Sequence, residues 1–252
     1  MGPILVASTT LICISLGLLV GLFLRERLPQ HHLKDDSKDI LKTSSGLIAT
    51  LVALVLGLLV ASTKSTFDAA NTLIMQTGGK FIVLDRYLTL YGPETQKTRE
   101  ELKASLQAGI DTMWPSKGHG NPNAYPMAQG LENVYHAVVQ LKPENDTQRQ
   151  IQSQCVQVCN DLVQMRWQLV EQTQYALPTA FLVVLIFWLT VLYANFGLLS
   201  PRNVTALVAL FGCAVSISGA IFLILEMTHP FDGTITVSSL PFEKAISQMG
   251  AE

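Results

Sequence analysis

The sequence predicts an all-α, polytopic membrane protein with four transmembrane helices and a helical soluble domain. Of its 252 residues, 49% are hydrophobic and 14% are charged, and the charges are unevenly distributed. No Asp, Glu, Lys or Arg occurs in residues 1–24, 43–63, 172–201 and 203–225. At a rise of about 1.5 Å per residue, each block can cross a hydrocarbon core of roughly 30 Å as a helix. Between the second and third blocks, apolar residues recur at helical spacing, which predicts the soluble domain.

An even number of crossings places both chain ends on one side of the membrane, together with the soluble region. The first span is expected to be retained, because it lacks the basic start and the small-residue cleavage site of a signal peptide. The chain is then a single unit made of TM1 (3–24), TM2 (45–63, continuing as a soluble helix), a helical soluble region (64–176), TM3 (178–199), TM4 (204–226) and a tail (227–252).

The connections between the spans are predicted from polar segments and from helix-breaking residues such as proline and glycine. The segment "RERLPQHHLKDDSKDILK" predicts a polar connection after TM1, and "LLSPRN" predicts a tight turn between TM3 and TM4. Residues 63–71 contain no Gly or Pro and keep apolar spacing through Phe67 and Ala70. The TM2 helix is therefore expected to continue into water as a soluble helix.

Three further helices are predicted in the soluble region, over residues 92–114, 127–141 and 144–176. The first begins with a proline and acidic residues, and it carries Leu102, Leu106 and Ile110 at four-residue spacing. The Gly-, Pro- and Asn-rich residues 115–126 predict a loop. The last helix contains no breaker and is expected to lead directly into TM3, with Pro178 at the junction.

Few side chains suggest catalysis or metal binding. His31 and His32 are adjacent and diverge on any regular backbone, while Glu132 and His136 have no third ligand near them in sequence. Both pairs are interpreted as surface residues. No phosphate-binding loop, nucleophile elbow or zinc-protease motif is present. The sequence therefore predicts no enzymatic reaction, no metal and no cofactor, and an enzyme acting on lipid is the least favoured alternative.

The cysteines and the net charge argue against two further kinds of function, cysteine-based metal or disulfide sites and nucleic-acid binding. Cys155 and Cys159 lie one helical turn apart, which suits neither a disulfide nor a structural zinc site, so they are interpreted as small buried residues. A formal net charge of −2 gives no electrostatic support for nucleic-acid binding.

The second span has two neighbouring stripes when its residues are placed at 100° per residue. A stripe about 80° wide holds Thr50, Leu54, Leu58, Ala61 and Ser65, and the stripe beside it holds the small residues Ala49, Ala53, Gly57 and Ala61. The opposite side carries Ile48, Leu51, Val52, Val55 and Leu59.

Two compatible interpretations of these stripes remain open. Small residues at every fourth position allow helices to approach closely in lipid, so the small stripe is predicted to serve helix packing. In the second interpretation, several copies also turn Thr50, Leu54 and Leu58 toward a shared axis, where stacked apolar rings can gate ions by dewetting. Ser62 and Ser65 would then line a wider mouth. The near absence of ionisable residues in the spans favours a passive pore over a coupled transporter.

Four segments carry a resemblance to a known family: "LRERLPQHHLKDDSKD", "GLIATLVALVLGLLVASTKSTFD", "LDRYLTLYGPE" and "LILEMTHPFDGTITVSSLPFEKAI". Together they resemble the bacterial bestrophin-like family, over nearly the whole chain. A more distant similarity to the bestrophin ion channels is carried by "VLGLLV" in the second span and by the tail, through Glu226, Pro230, Phe231, Leu240 and Pro241.

The resemblance implies a homo-oligomer, pentameric as in bestrophins, in the lipid bilayer of the bacterial inner membrane, with inorganic ions as its partners. It places the three gate positions of bestrophins on Thr50, Leu54 and Leu58. The bestrophin gate is usually aromatic or β-branched, so this chain departs from the pattern at two of the three. Its tail segment "FDGTITVSS" offers Asp232 alone, too few carboxylates for calcium. Calcium activation is therefore not predicted.

Two alternatives stay open at the level of the sequence. The chain could be a non-conducting membrane scaffold or sensor whose soluble helices bind a partner. The bias of Lys and Arg in the short loops would place the soluble region outside the cytoplasm, whereas bestrophins hold theirs inside.

Overall fold

The structure is a computed structural model that describes residues 2–28, 35–115, 125–174, 179–200, 203–231 and 233–249. Every regular element within these ranges is helical, which confirms the predicted all-α class. In chain order, the helices are α1 (Pro3–Arg27), α2 (Asp35–Tyr91), a 3₁₀ turn (Pro93–Thr95), α3 (Gln96–Met113), α4 (Tyr125–Gln140), α5 (Asp146–Gln174), α6 (Thr179–Leu199), α7 (Val204–Met227) and α8 (Leu240–Gln248).

The chain divides into two compact units. The membrane unit comprises Met1–Lys64 and Ala176–Thr228, and the soluble unit comprises Ser65–Tyr175 and His229–Glu252. Among the described residues, four helices are long and apolar enough to cross a membrane, namely α1, α2, α6 and α7. The predicted limits of the four spans within these helices stay a prediction.

The membrane unit is held together by close packing of α1 against α6. Both helices place glycines at the contact, and a Cβ added at Gly17 would come within 2.5 Å of the Thr190 carbonyl oxygen. Added Cβ atoms at Gly21 and Gly197 would collide with the carbonyl oxygens of Ala194 and Leu18. Because these obstacles are backbone atoms, the two helices can approach this closely only where side chains are absent.

The buried core of the membrane unit draws on all four of its helices. Side chains with little or no exposure are Ile14 on α1, Val52 on α2, Leu185 and Leu189 on α6, and Ile221 on α7. Helix α2 contributes one fully buried apolar residue to this cluster and several half-buried ones. Most of its membrane-spanning surface therefore faces away from its own chain.

Helix α2 begins earlier than predicted, at Asp35, inside the segment predicted as a polar connection. It ends at Tyr91. It stops where Gly92 adopts a φ of +143°, which favours glycine, followed by Pro93. The Gly78–Gly79 pair lies inside α2 without ending the helix. Gly78 leaves room for the backbone of Pro241, whose oxygen lies 2.9 Å from an added Cβ.

The soluble unit is built on its own hydrophobic core. Leu102 and Leu106 of α3 are fully buried and Ile110 packs against the same cluster, as their spacing predicts. Helix α4 begins at Tyr125, so the prediction that residues 115–126 form a loop is wrong at its last two positions. Pro126 is compatible with the first turn, where its missing N–H would have no helical partner.

Some predicted features lie outside the described residues. This applies to the adjacent histidines, to the junction before TM3, to part of the turn before TM4 and to the acidic residue of the tail, which are His31, His32, Pro178, Pro201, Arg202 and Asp232.

The tail contains a helix, α8, that periodicity did not predict. Its Phe242 is fully buried and lies 6.2 Å from the Phe81 ring and 5.7 Å from the Trp114 ring, between centroids. Trp114 also packs edge-on against Phe231 at 5.4 Å, and its Nε1–H donates to the Val237 carbonyl oxygen at 2.7 Å. Trp114, which directly follows α3, therefore contacts three parts of the tail.

We expect Trp114→Ala to destabilise the soluble unit by about 3–5 kcal/mol, because it removes a large packed ring and leaves the Val237 carbonyl unpaired. Trp114→Phe should cost about 1 kcal/mol beyond the change in packing, since it removes the hydrogen bond and keeps a ring. Thermal unfolding of the full chain in detergent measures both. Trp167→Ala is the matched control, because Trp167 is largely exposed; an equal effect of the two alanine changes would contradict the assignment.

Two ion pairs tie the soluble part of α2 to neighbouring helices. Arg99 of α3 donates from Nε to Asp85 Oδ1 at 2.8 Å, and Asp85 is buried. Lys80 Nζ lies 2.7 Å from Asp161 Oδ2 of α5, with both side chains about one-third exposed. In both pairs, a charge on α2 is compensated by the opposite charge of another helix.

Candidate pore-lining face of helix α2

One side of α2 packs against the rest of the membrane unit. Val52 is 5% exposed, and Ser45 and Thr63 are buried at positions seven residues before it and eleven after it. These spacings are whole numbers of helical turns, so the three residues share one face. Ile48 and Leu59 adjoin it as half-buried members of the membrane-unit core.

The predicted stripe lies on the opposite side of α2. Leu54 and Leu58 are 59% and 62% exposed, and Thr50 is exposed as well. The residues predicted for the wider mouth, Ala61, Ser62 and Ser65, are also exposed in the single chain. All six predicted positions are therefore exposed in the single chain.

The Thr50 hydroxyl is satisfied within the helix. Its Oγ1–H donates to the Gly46 carbonyl oxygen at 2.9 Å, the usual bond of a threonine in a membrane helix. The exposed position of Thr50 therefore leaves no unpaired donor in an apolar environment. The oxygen keeps lone pairs that can accept from water or contact a cation.

The described residues cover the predicted packing stripe only in part. A Cβ added at Gly57 would meet nothing within 4 Å, Ala53 is exposed and Ala49 is half-buried. Within the chain, small residues form a close helix contact between α1 and α6. The sequence analysis did not predict this contact. Its signal was present, because Gly17 and Gly21 form a small-xxx-small motif in the first span.

An apolar cleft of about 220 Å³ lies between α2 and α6. Its lining consists of Val55, Ala180, Phe181, Val184, Leu185 and Trp188 and exposes no polar surface. Because it offers no oxygen or nitrogen ligand, it cannot hold an ion or a polar substrate.

Glu132 and His136, the candidate pair within the described residues, are not part of a metal-binding cluster. Glu132 and His136 are both exposed on α4. Within the part of the chain that the structure describes, no three His, Cys, Asp or Glu side chains come together in a way that could hold a metal ion. Cys155 and Cys159 are free and buried, which confirms their predicted burial. Burial raises the pKa of the Cys155 thiol to about 11 and that of Cys159 to about 12.

We expect Cys155 and Cys159 to resist a maleimide at pH 8, because the thiolate is the reactive form and both thiols stay protonated well below their raised pKa values. Alkylation read by mass spectrometry, in a Cys13→Ser/Cys213→Ser background, measures this. Labelling should appear after denaturation or as the pH approaches 11. Rapid labelling of the folded chain at pH 8 would contradict the burial of these thiols.

The helices, the two units and the exposed apolar face define a helical membrane protein with a soluble domain. A comparison with protein families matches residues 12–242 to the Bestrophin-like domain. The chain belongs to the Bestrophin-like family, as its sequence segments suggested. Comparisons with curated proteins and with solved structures gave no match.

Proposed function

We propose that the chain assembles as a homo-oligomer around α2 and conducts small inorganic ions passively across the bacterial inner membrane as a multi-pass protein. Thr50, Leu54 and Leu58 form the constriction, and Ala61, Ser62 and Ser65 line its wider mouth. The subunit number proposed is five, by resemblance to bestrophins. No chemical reaction and no cofactor is part of this proposal.

The observation that carries the proposal is the orientation of α2 in its own subunit. Its core-facing side is fixed by Val52, and the side opposite presents a row of leucines bordered by Thr50 and the serines. A cyclic assembly that brings these rows together surrounds an axis with rings of apolar side chains. Such rings can exclude water from a narrow pore and admit it when the pore widens, which is how hydrophobic constrictions gate.

The character of the span supports passive conduction. Residues 43–63 contain no ionisable side chain, and coupled transporters need such groups in the membrane for proton relays or substrate binding. The small residues Ala49, Ala53 and Gly57, of which the last two are exposed in the single chain, are proposed to pack α2 against the neighbouring subunit.

A second candidate function is a non-conducting scaffold or sensor. It is favoured by Trp167 of α5, which is 60% exposed on the soluble unit and lies against the Arg166 guanidinium at 5.1 Å. An exposed tryptophan with a bordering cation is typical of a protein-binding surface. In this case, the leucines of α2 would face lipid.

The two functions differ in ion flux. The purified full-length protein is placed in liposomes, and flux is compared with that of protein-free liposomes while native mass spectrometry counts the subunits. The proposed function predicts flux from a closed oligomer. An intact oligomer without flux, or a dimer, would contradict it and favour the scaffold.

A further inference from the structure

The apolar cleft between α2 and α6 is lined by residues of the membrane unit alone. Its wall on α2 is Val55, and its wall on α6 is a strip of five residues, Ala180, Phe181, Val184, Leu185 and Trp188. Residues at this spacing of four lie along one side of a helix, so the cleft follows the axis of α6. At a rise of about 1.5 Å per residue, the strip is about 12 Å long.

The cleft covers the depth of one leaflet of a bilayer. Trp188 lies nine residues after Thr179, the first residue of α6, which corresponds to about 14 Å along the helix. Half of a hydrocarbon core of roughly 30 Å is about 15 Å. Val55 is close to the middle of the charge-free residues 43–63 of α2. The cleft therefore extends from one end of the span to its middle, in the direction in which lipid acyl chains extend.

The cleft opens sideways, toward the surroundings of the span. Phe181 and Val184 line it and are nevertheless 56% and 43% exposed, whereas Leu185 is fully buried and forms its floor. Val183 and Phe187 of the same helix are also exposed. The lining is therefore continuous with the apolar outer surface of a membrane-spanning helix, where the surrounding medium is hydrocarbon.

The chemistry of the lining selects a hydrocarbon. It exposes no polar surface, so a donor or acceptor of a bound group would stay unpaired. An apolar cavity of about 150 Å³ holds benzene. The cleft, at about 220 Å³, has room for a longer apolar segment.

The shape of the cleft favours a flexible chain as its occupant. An unfilled cleft would deprive its walls of dispersion contacts. A linear hydrocarbon chain can follow the strip along its whole length, whereas one side chain from a second copy of the protein would fill only part of it.

We propose that the cleft between α2 and α6 binds one acyl chain of a membrane phospholipid, with Phe181 near one end of the bound segment and Trp188 near the other. The lining contacts the chain and not the headgroup, so phospholipids with different headgroups are ligands. Val55 lies on the side of α2 opposite to the stripe of the proposed constriction. The site is therefore independent of ion conduction.

The test is quenching of Trp188 fluorescence by phosphatidylcholine with dibrominated acyl chains, since bromine quenches an indole only at short range. The full-length protein is reconstituted in vesicles of this lipid, extracted in dodecyl maltoside and separated from free lipid. The contribution of Trp188 is the difference between the wild type and Trp188→Phe. We expect Trp188 to be quenched in the vesicles and to stay quenched after extraction, with the retained lipid detected by native mass spectrometry.

Two variants fill the cleft. Ala180→Phe should lower the amount of retained lipid and the quenching after extraction at least about fivefold, because the added ring occupies the volume that the chain needs. Val184→Phe should act in the same direction. Ala209→Phe is the matched control, because Ala209 is an exposed alanine of α7 outside the lining, and it should retain lipid as the wild type does.

Three outcomes would overturn the inference. An unquenched Trp188 in the vesicles would mean that a second copy of the chain covers the cleft. Quenching that is lost on extraction, with no lipid retained by the wild type, would mean ordinary contact with the bilayer. Unchanged retention in Ala180→Phe would place the lipid elsewhere, and if that variant does not fold, Val184→Phe decides in the same way.

Discussion

Replacing Leu54 and Leu58 together by alanine is expected to raise ion flux through the reconstituted protein without changing its subunit count. The two leucines are proposed to form stacked apolar rings, and shortening them widens the constriction and lowers the cost of wetting it. Lowering the barrier by about 1.4 kcal/mol would raise flux about tenfold. The measurement compares ion flux of the wild type and the double variant in liposomes, with native mass spectrometry on the same samples.

The matched control is Leu16→Ala/Leu19→Ala on α1. These leucines are 54% and 59% exposed, close to the values for Leu54 and Leu58, so the control removes the same atoms from a comparable surface. It should leave flux unchanged. If Leu54→Ala/Leu58→Ala instead loosens the oligomer and leaves flux at the background level, these leucines serve packing and the proposed gate is wrong.

The second large effect is expected at two glycines. Replacing Gly21 by leucine should prevent folding, whereas replacing Gly57 by leucine should prevent assembly. Gly21→Leu introduces a side chain where the Ala194 carbonyl oxygen of α6 already lies. Backbone cannot move aside as a side chain can, so we expect a loss of about 3 kcal/mol or more in stability. The membrane unit should then fail to fold, which is measured as the yield of monodisperse protein in detergent.

Gly57→Leu should instead preserve the fold and weaken the assembly. Gly57 is exposed, and among the described residues nothing outside its own stretch of helix lies within 4 Å of an added Cβ, so we expect the single subunit to accept the larger side chain. If the small stripe of α2 packs against a neighbouring subunit, leucine holds the two helices apart, and native mass spectrometry should show mainly dissociated subunits.

Gly212→Leu on α7 is the control for this second effect. An added Cβ at Gly212 also meets nothing within 4 Å, so the two variants differ in position and not in local clash. Gly212→Leu should assemble as the wild type does. A Gly57→Leu protein with the wild-type subunit count would contradict the packing role of Ala49, Ala53 and Gly57.

Periodicity predicted well those features that depend on one face of one helix. Leu102 and Leu106 were placed in a core by their spacing alone, and both are fully buried. The burial of Cys155 and Cys159 was predicted on a different ground, their unsuitable spacing for a disulfide or a zinc site, and both are buried. An apolar face on a helix of a soluble region must be covered by other residues. The spacing therefore predicts that the face is buried, although it does not show which residues cover it.

Periodicity failed where a distant segment decides the local structure. The sequence pattern did not show where α2 ends, nor that Gly78 in its interior lies against the backbone of Pro241, which is far along the chain. Helix α8 is short, and it is held by Phe242 against Phe81 and Trp114. Short helices are stabilised mainly by tertiary packing, so local propensity gives a weak signal for them.

By itself, the sequence determined the helical membrane class, the number of apolar helices, the family and the existence of a small and a bulky side on the second span. Only the tertiary structure decided which side of α2 its own chain covers, and that the intrachain glycine contact joins α1 to α6. The physical reason is that, in lipid, apolar surface has no preference for protein over acyl chains. Shape complementarity between helices then decides the packing, and this becomes known only when both surfaces are placed together.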